Sequence, residues 1–356
     1  MIEISTQAAS VLLSGHQVRR LRVESWYDDV LLDDDIPVSD GREEVDRSLN
    51  VPERITLTVP RVSRGVDYTP GELMSPLGAN GQRIRVLIGV GIGNDQFEWL
   101  QRGWYVITRS QARGDSVSVE AAGMLWLIQE ARLVNPFQPS TNFINAVRAL
   151  VEPALTVEFD GALVDRSIPS TINYDDDRLG ALETTLGAWP AVADVTPDGY
   201  LLVSADTDPT TVSLALSSGV GGTVIEAVGE SSRDDVFNAV VAQGSTSDGG
   251  LVRSVAYDLN GPKRSGGPFN ALPVPYYFDS PLITTLGQAA AAAATRLRKI
   301  KRGTGLMKDV QLVPHPALRA GDLVTLDGAP AIIEQHVLPL TANGGEMTLR
   351  ARMVES

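Results

Sequence analysis

Side chains that could perform metal, nucleophilic or acid–base chemistry are few or scattered along this 356-residue chain. The three histidines, His16, His315 and His336, have no second ligand at a spacing typical of metal sites. Cysteine is absent, which excludes thiolate metal sites and disulfides. No G-x-S-x-G, H-E-x-x-H or Walker A motif occurs. We therefore predict no catalytic, cofactor-binding or metal-binding residues and no cofactor, so the chain is not expected to be an enzyme.

Acidic residues are the only abundant reactive groups. With 44 of them, carboxylate pairs are expected by chance. Glycosidase carboxylates have no local signature, so a carbohydrate-cleaving role stays open. The cluster Asp28, Asp29 and Asp33–Asp35 could bind calcium, but it lacks the spacing and central glycine of a calcium loop. A solvated loop is the simpler interpretation of such a charge run.

Gly89, Gly91 and Gly93 are spaced like part of a dinucleotide-binding loop. That fingerprint requires a helix after the glycines. The residues that follow, Phe97–Leu100 and Trp104–Ile107, are typical of strands instead. A bulged strand that runs into a turn is therefore the favoured interpretation.

Five cations crowd one predicted helix end: Arg296, Arg298, Lys299, Lys301 and Arg302. Cations at a helix C-terminus favourably oppose the helix dipole. Nucleic-acid contact is the alternative, although the patch is short and has no interleaved aromatic residues. A helix cap or a salt-bridge patch between subunits is favoured.

The composition limits the possible partners. The formal net charge is −14 and the pI is about 4.7, which argues against a protein that binds duplex DNA. The N-terminal segment does not resemble a signal peptide. No stretch approaches the roughly 20 apolar residues of a membrane span, so we expect no membrane anchor and synthesis in the cytoplasm.

The secondary-structure elements that could position a functional site begin with a β-rich region in the N-terminal third of the chain. Regular alternation predicts strands at Val18–Trp26, Arg54–Val59, Ile84–Ile92, Gly103–Thr108 and Ser116–Ala121. Strands at this spacing, separated by Gly and Asp turns, are typical of a barrel or sandwich. We predict a first β-barrel domain over residues 1–134.

From residue 135 the sequence pattern changes, and predicted helices replace the run of predicted strands. Ser140-Thr141 is expected to cap a helix that starts near Phe143, and Asp175–Asp177 to cap a helix over residues 178–187. For Asp175–Asp177 a catalytic acid cluster is the alternative. Residues 192–204 form a predicted hairpin around an Asp-Gly turn. We predict a small α+β domain over residues 135–205.

The last region, residues 206–356, is predicted to be a second β-barrel domain with a long loop and an Ala-rich helix. Ser280-Pro281 is expected to open that helix, which should end at Gly303. Two alternating segments and a more continuous apolar run between them, Ala331–Leu338, predict a closing three-stranded meander. Four of its residues should face a core and two arginines should face away: Val324, Leu326, Leu349 and Ala351, against Arg350 and Arg352. The predicted fold class is α+β, mainly β.

The order of these elements resembles the tail hub or baseplate hub proteins of tailed bacteriophages. The residues that carry the resemblance are Asp235–Gly244 (DVFNAVVAQG), the Asp-Gly hairpin after Trp189, and Pro316–Asp322 (PALRAGD). The resemblance covers most of the chain and implies two barrels related to tail-tube subunits. It also implies that three chains form a pseudo-sixfold ring on the sixfold tube. The chain stops soon after its final sheet, so we expect no spike, peptidase or lysozyme extension.

We therefore predict a structural protein of the virion tail. It would form a homotrimer at the distal end of the tail. It would join the tail tube or a distal tail protein, and a tape-measure protein, to tip or fibre proteins. Phage DNA would pass through the ring without specific binding. Alternatives are the hub of a contractile phage-like injection particle and, from another class, a carbohydrate-binding or carbohydrate-cleaving β protein.

Overall fold

The computed structural model describes most of the chain. The described residues are 1–14, 17–139, 142–168, 172–189, 191–230, 233, 236–246, 248–260, 263–303, 306–342 and 344–354. Strands account for 44% of the structure and helices for 15%, which confirms the predicted mainly β, α+β class.

The bounds of the elements are as follows. The helices are α1 (Thr6–Leu13), α2 (Trp126–Glu130), α3 (Phe143–Val151), α4 (Arg178–Ala188) and α5 (Leu286–Gly303). The first nine strands are β1 (Arg19–Tyr27), β2 (Val30–Asp33), β3 (Asp40–Asp46), β4 (Glu53–Pro60), β5 (Val62–Ser63), β6 (Val66–Asp67), β7 (Arg83–Gly93), β8 (Gln96–Arg113) and β9 (Ser116–Gly123). The others are β10 (Val157–Phe159), β11 (Ala191–Val195), β12 (Leu201–Ala205), β13 (Leu214–Leu216), β14 (Val224–Glu230), β15 (Ala239–Ser245), β16 (Leu251–Tyr257), β17 (Pro275–Asp279), β18 (Met307–Leu312), β19 (Leu323–Leu326), β20 (Ala329–Pro339) and β21 (Met347–Met353).

One 13-stranded sheet runs through both ends of the chain. Its main order is β14-β18-β21-β20-β3-β4-β9-β8-β7-β1-β2, with β19 on β20 and β13 on β19. The N-terminal and C-terminal strands join where β3 pairs antiparallel with β20, from Gln335 opposite Asp46 to Pro339 opposite Arg42. Among the described residues β14 and β2 are not paired with each other, so the sheet is open and not closed into a barrel. The division into three domains stays a prediction.

The apolar residues of strands with an alternating pattern fill one continuous core. In β4, Ile55, Leu57 and Val59 are buried, and β7 buries Ile84, Val86 and Ile88. The same cluster contains residues of β18, β20 and β21, so a single core supports both ends of the sheet.

The closing meander β19–β20–β21 has the predicted antiparallel order. All four residues predicted to face the core are buried. Arg350 points away and stays partly exposed. Arg352 also points away, but it is buried, which the sequence analysis did not predict. Its guanidinium donates to Glu334, at 2.9 Å, and to Asp208, at 3.1 Å, so the buried charge faces two carboxylates.

The small α+β unit consists of α3, α4 and the three-stranded sheet β10-β12-β11. Asn142 caps α3 by accepting a hydrogen bond from the Asn145 N–H, whereas the predicted cap Ser140-Thr141 lies outside the described residues. Asp177 caps α4 by accepting from the Gly180 N–H, as predicted.

Helix α5 packs on the three-stranded sheet β16-β15-β17 and ends at Gly303, as expected. Its start differs from the prediction, because the helix begins at Leu286 and not at Ser280-Pro281. The side chain of Gln288 accepts hydrogen bonds from the N–H groups of Thr284 and Thr285, and the Thr285 hydroxyl accepts from the Gln288 N–H. This reciprocal capping box fixes the start of the helix.

Candidate functional site

The two ends of the main sheet present unpaired strand edges. Strand β14 pairs along its length with β18, and on its other side only its first residue, Val224, forms a bridge, with Ser218. Strand β2 pairs with β1 and has no other strand partner in the described part of the chain. Ile225 and Val228 of β14 are each 53% exposed. A strand edge of this kind has free N–H and C=O groups that can pair with a strand of another chain.

The face of the main sheet that points away from the core is polar and has mixed charge. Three ion pairs lie on it: Arg42–Glu44 at 2.6 Å, Arg350–Asp309 at 3.8 Å and Arg109–Glu120 at 3.9 Å. A depression of about 280 Å³ on this face is lined by both apolar and polar side chains, among them Val228, Val337 and Gln311. Exposed pairs of this kind contribute little to stability. They do, however, place a carboxylate beside each of these arginines, which disfavours contact with phosphates.

A buried ion cluster ties the two halves of the sheet together. Arg102 of β8 donates from Nε to Glu43 of β3 at 2.8 Å, and from Nη1 to the carbonyl oxygens of Pro316 at 2.5 Å and Leu318 at 2.9 Å. The Tyr105 hydroxyl donates to the second oxygen of Glu43 at 2.8 Å. His336 Nε2 of β20 lies 3.2 Å from Arg102 Nη2.

The protonation of this cluster follows from burial and neighbouring charge. Burial alone would raise the pKa of Glu43, but Arg102 and His336 hold it well below its usual range. Burial, reinforced by Glu43, raises the pKa of Tyr105, and burial lowers the pKa of His336. The cluster therefore contains an ionised carboxylate, an arginine and a neutral histidine, and it acts as a structural clamp.

A groove of about 1,690 Å³ separates the main sheet from the small α+β unit and α5. Glu53, at the start of β4, lines it, and the Glu53 Oε2 atom is buried with no hydrogen-bond partner among the described residues. Burial raises the pKa of Glu53 to about 7. Arg319 opposes this rise, while Asp194 and Glu43 add to it. Arg319 also donates to the Val195 carbonyl oxygen at 3.0 Å and so bridges the groove.

In the described part of the chain, the clamp and the groove do not form an evident catalytic or metal centre. A carboxyl protonated near pH 7 can serve as a general acid, but burial, with smaller contributions from Asp194 and Glu43, accounts for the raised pKa of Glu53. Within the described ranges, no group of three His, Asp or Glu side chains could hold a metal ion. No described helix is long and apolar enough to cross a membrane.

The histidines and acidic residues singled out in the sequence are dispersed. His16 lies outside the described residues, and His315 and His336 are buried. In the acidic loop, Asp33 accepts a hydrogen bond from the Tyr68 hydroxyl at 2.8 Å, and Asp35 pairs with Arg64 at 3.2 Å. The loop is thus engaged with neighbouring side chains.

The glycines of β7 lie in a bulged strand, as predicted. The register of β7 against β8 shifts between Gly91 and Gly93. A Cβ atom at Gly89 would lie 3.2 Å from the rings of Phe97 and Trp99, so glycine permits close packing there. The following turn leads into β8 and not into a helix.

The cations of the basic cluster in α5 contact different parts of the chain. The Arg296 guanidinium stacks on Tyr276 and donates to its hydroxyl at 3.0 Å, and Lys301 pairs with Asp258 at 2.8 Å. Lys299 faces the groove and lowers the pKa of Glu183, which burial raises. These cations serve contacts within the chain.

Sequence reasoning missed the Arg102–Glu43–His336 clamp. Glu43 stands in a polar stretch of alternating glutamate, arginine and aspartate, where nothing marks it as buried. The one available signal was the alternation of side chains along β3, which places Glu43 on the same face of the strand as the buried Gly41.

Comparisons with known proteins reveal a shared fold. No protein-family model matches the chain, and no curated protein matches its sequence. Among solved structures, a tail protein from Neisseria meningitidis MC58 superposes with a TM-score of 0.64 at 12% identity, over 94% of this chain and 97% of that one. The 43 kDa tail protein of prophage MuSo2 from Shewanella oneidensis gives a TM-score of 0.58 at 11% identity, over 94% and 98% of the two chains.

A secretion-system protein shows the same likeness. An Escherichia coli component of the type VI secretion system, described as structurally similar to the T4 bacteriophage tail proteins gp27 and gp5, gives a TM-score of 0.53 at 10% identity. The match covers 90% of this chain and 74% of that one. At such low identity the likeness is one of fold, and it extends over nearly the whole chain.

Proposed function

We propose that this protein is a structural component of a phage tail, namely the hub at its distal end. The observation that carries the proposal is the fold likeness to tail proteins, which spans 94% of this chain and 97% of the Neisseria protein. Such coverage means that the likeness involves the sheet, the small α+β unit and the α5 unit together. The order of elements that resembles tail hubs in the sequence supports the finer assignment.

The hub would assemble as a homotrimer. Each copy would contribute two tail-tube-like β regions, residues 1–134 and 206–356, with residues 135–205 between them, so three copies would present six similar units to a sixfold tube. The open edges of β14 and β2 support this arrangement, because they provide two different pairing surfaces on one copy. A contact between two different surfaces can close into a ring.

The polar face of the sheet would line the channel for DNA. Three copies at a formal charge of −14 each bring −42 to the ring. Duplex DNA carries about one negative charge per 1.7 Å, and repulsion at physiological salt reaches about 8 Å. The pairing of Arg42, Arg109 and Arg350 with carboxylates supports a wall along which DNA slides without binding.

The partners follow from this position. The upper side of the ring would meet the tail tube or a distal tail protein and the tape-measure protein. The lower side would meet tip or fibre proteins, and the mature protein would reside in the virion tail. The hub of a contractile injection particle is the second candidate, and the likeness to a type VI secretion component favours it. Neither role includes catalysis, and zymography on cell wall and polysaccharide should show no turnover.

Labelling of particles tests the location. A peptide tag in the β5–β6 turn, at the exposed Arg64-Gly65, is detected with gold-conjugated antibody in purified particles. We expect gold at the end of the tail that is distal to the capsid. Label along the tube, at the capsid, or only in particle-free fractions would contradict the proposal.

A further inference from the structure

Strand β11 of the small α+β unit is an edge strand that lies along the groove. It pairs on one side with β12, has no other strand partner within the described ranges, and all of its residues, Ala191–Val195, line the groove. Native edge strands are usually protected by proline, lysine, a bulge or a covering element. Strand β11 contains neither proline nor lysine, and its register against β12 is unbroken. The groove itself therefore shields this edge.

The backbone groups of alternate residues of β11 point away from β12. Val203, which lies opposite Ala193, accepts a hydrogen bond from the Asp160 N–H at 2.9 Å, on the side of β12 that faces away from β11. The pair is thus a non-hydrogen-bonded one, and the N–H and C=O of Ala193 face the groove. The Val195 carbonyl oxygen faces the same way, because it accepts from Arg319. Neither backbone group of Ala193 has a hydrogen-bond partner among the described residues.

The groove is large and acidic. Its volume of about 1,690 Å³ exceeds the roughly 300–1,000 Å³ of sites for small molecules. Its lining contains thirteen acidic and seven basic residues. Asp194 is exposed and forms no ion pair in the described part of the chain, and it lies near enough to Glu53 to raise the pKa of that carboxyl group. A ligand with a positive charge beside these two residues would be favoured.

A strand of a folded second copy could not reach this edge. The guanidinium of Arg319 extends from the opposite wall and donates to the Val195 carbonyl oxygen at 3.0 Å. At this end the two walls are therefore separated by the length of one side chain. A strand that carried its own sheet would collide with the opposite wall, whereas a single extended segment would not.

We propose that the groove binds an extended, basic segment of another polypeptide, which adds to β11 as a fourth strand of the sheet β10-β12-β11. Its backbone pairs with the N–H and C=O of Ala193 and with the N–H of Val195. A lysine or arginine side chain of the segment lies beside Asp194 and Glu53. When a strand adds to a sheet edge, main-chain hydrogen bonds provide affinity and alternate side chains provide specificity. The proposal does not depend on the tail role.

A displayed peptide library tests the proposal. Random peptides of about 12 residues on yeast are sorted against the purified full chain, and the tightest binder is synthesised. We expect the selected peptides to share a lysine or arginine with β-branched residues at alternate positions. Each peptide N–H is then methylated in turn. Methylation should weaken binding at least tenfold at alternate positions only, because a strand pairs with an edge through every second residue.

Variants of the chain locate the site. Ala193→Pro removes an N–H that faces the groove and leaves the pairing with β12 intact, so it should weaken binding at least tenfold. Asp194→Asn should weaken the binding of the basic peptide at least threefold. Ala271→Pro, in an exposed turn outside the groove, and Glu72→Gln, at an exposed carboxylate, are the matched controls and should bind as the wild type does.

Several results would overturn the proposal. They are a library that yields no binder, selected peptides that are acidic, a methylation pattern without a period of two, and unchanged binding by Ala193→Pro. Light scattering covers the other occupant, since self-association of the chain that the peptide reverses would assign the edge to a second copy. If Ala193→Pro lowers the melting temperature, the methylation pattern measured on the unaltered chain still decides.

Discussion

Replacement of Glu53 by glutamine should remove a loss of folding stability that the wild type suffers as the pH rises. The Glu53 Oε2 atom is buried in the wall of the groove and has no hydrogen-bond partner in the described part of the chain, and burial raises the pKa of Glu53 to about 7. The folded state therefore binds the proton more tightly than the unfolded state does. This contribution to stability is fully present below the unfolded pKa and is lost as pH rises to about 7.

The size of the effect follows from the two pKa values. A rise from 4.5 to about 7 corresponds to at most about 3 kcal/mol of stability lost between acidic and alkaline pH. The side chain is not fully buried, so water in the groove screens part of the charge, and we expect about 1–3 kcal/mol. Glutamine has nearly the same shape and stays neutral at every pH.

Urea unfolding at pH 5 and pH 8 measures the difference. At pH 5 the wild type and Glu53→Gln should unfold at similar urea concentrations, and at pH 8 the variant should be the more stable. Glu72→Gln, at an exposed carboxylate, is the control and should follow the wild type at both pH values. A stability difference between Glu53→Gln and wild type that is the same at pH 5 and pH 8 would refute the reasoning.

Three further predictions concern the fold. Leu349→Ala should destabilise the protein by about 2–5 kcal/mol in a thermal or urea melt, because Leu349 is buried. Arg350→Ala should destabilise it far less, because Arg350 is partly exposed. Equal effects of the two substitutions would mean that our register is wrong by one residue. Arg102→Met should lower the free energy of unfolding by about 3–5 kcal/mol, because it leaves Glu43 charged and without its arginine partner. The double variant with Glu43→Gln should recover part of that loss in the same melt. Strictly additive losses of stability would contradict the clamp. Asp177→Ala should cost about 1 kcal/mol through loss of the α4 cap, and no loss of stability or of helical circular dichroism would show that the cap is dispensable.

The local elements could be predicted because alternation reports burial. Strands β4, β7 and the two outer strands of the closing meander repeat apolar residues with a period of two, and the turns between the meander strands contain glycine or aspartate. Each of these patterns lies within a few residues of chain. The sequence therefore predicts which residues of a strand face a core.

The pairing between distant strands could not be predicted in the same way. The contact of β3 with β20 joins Asp46 to Gln335, and no local pattern encodes the choice of partner. The clamp depends on that pairing, because Glu43 meets Arg102 and His336 only once β3 lies beside β20 and near β8. The burial of Arg352 was likewise not predicted, because its partner Asp208 comes from a distant loop.

The start of α5 shows competition between two local signals. Ser280-Pro281 has the composition of a helix start, but Thr285 and Gln288 form a complete capping box five residues later. The box satisfies the Gln288 N–H in the first turn and the N–H groups of Thr284 and Thr285 just before it. The Ser280 hydroxyl instead accepts a hydrogen bond from the Leu282 N–H at 3.3 Å, in the turn that precedes the helix.

The copy number and contacts of this chain in an assembled particle test the central claim most directly. Cryo-electron microscopy of the distal end of the tail, reconstructed without imposed symmetry, provides both. We predict three copies in a closed ring, with the edge strand β14 of each copy paired to a strand of its neighbour and the polar sheet face toward the channel. A different copy number, a free β14 edge, or a channel lined by Arg298 and Lys299 would contradict the account.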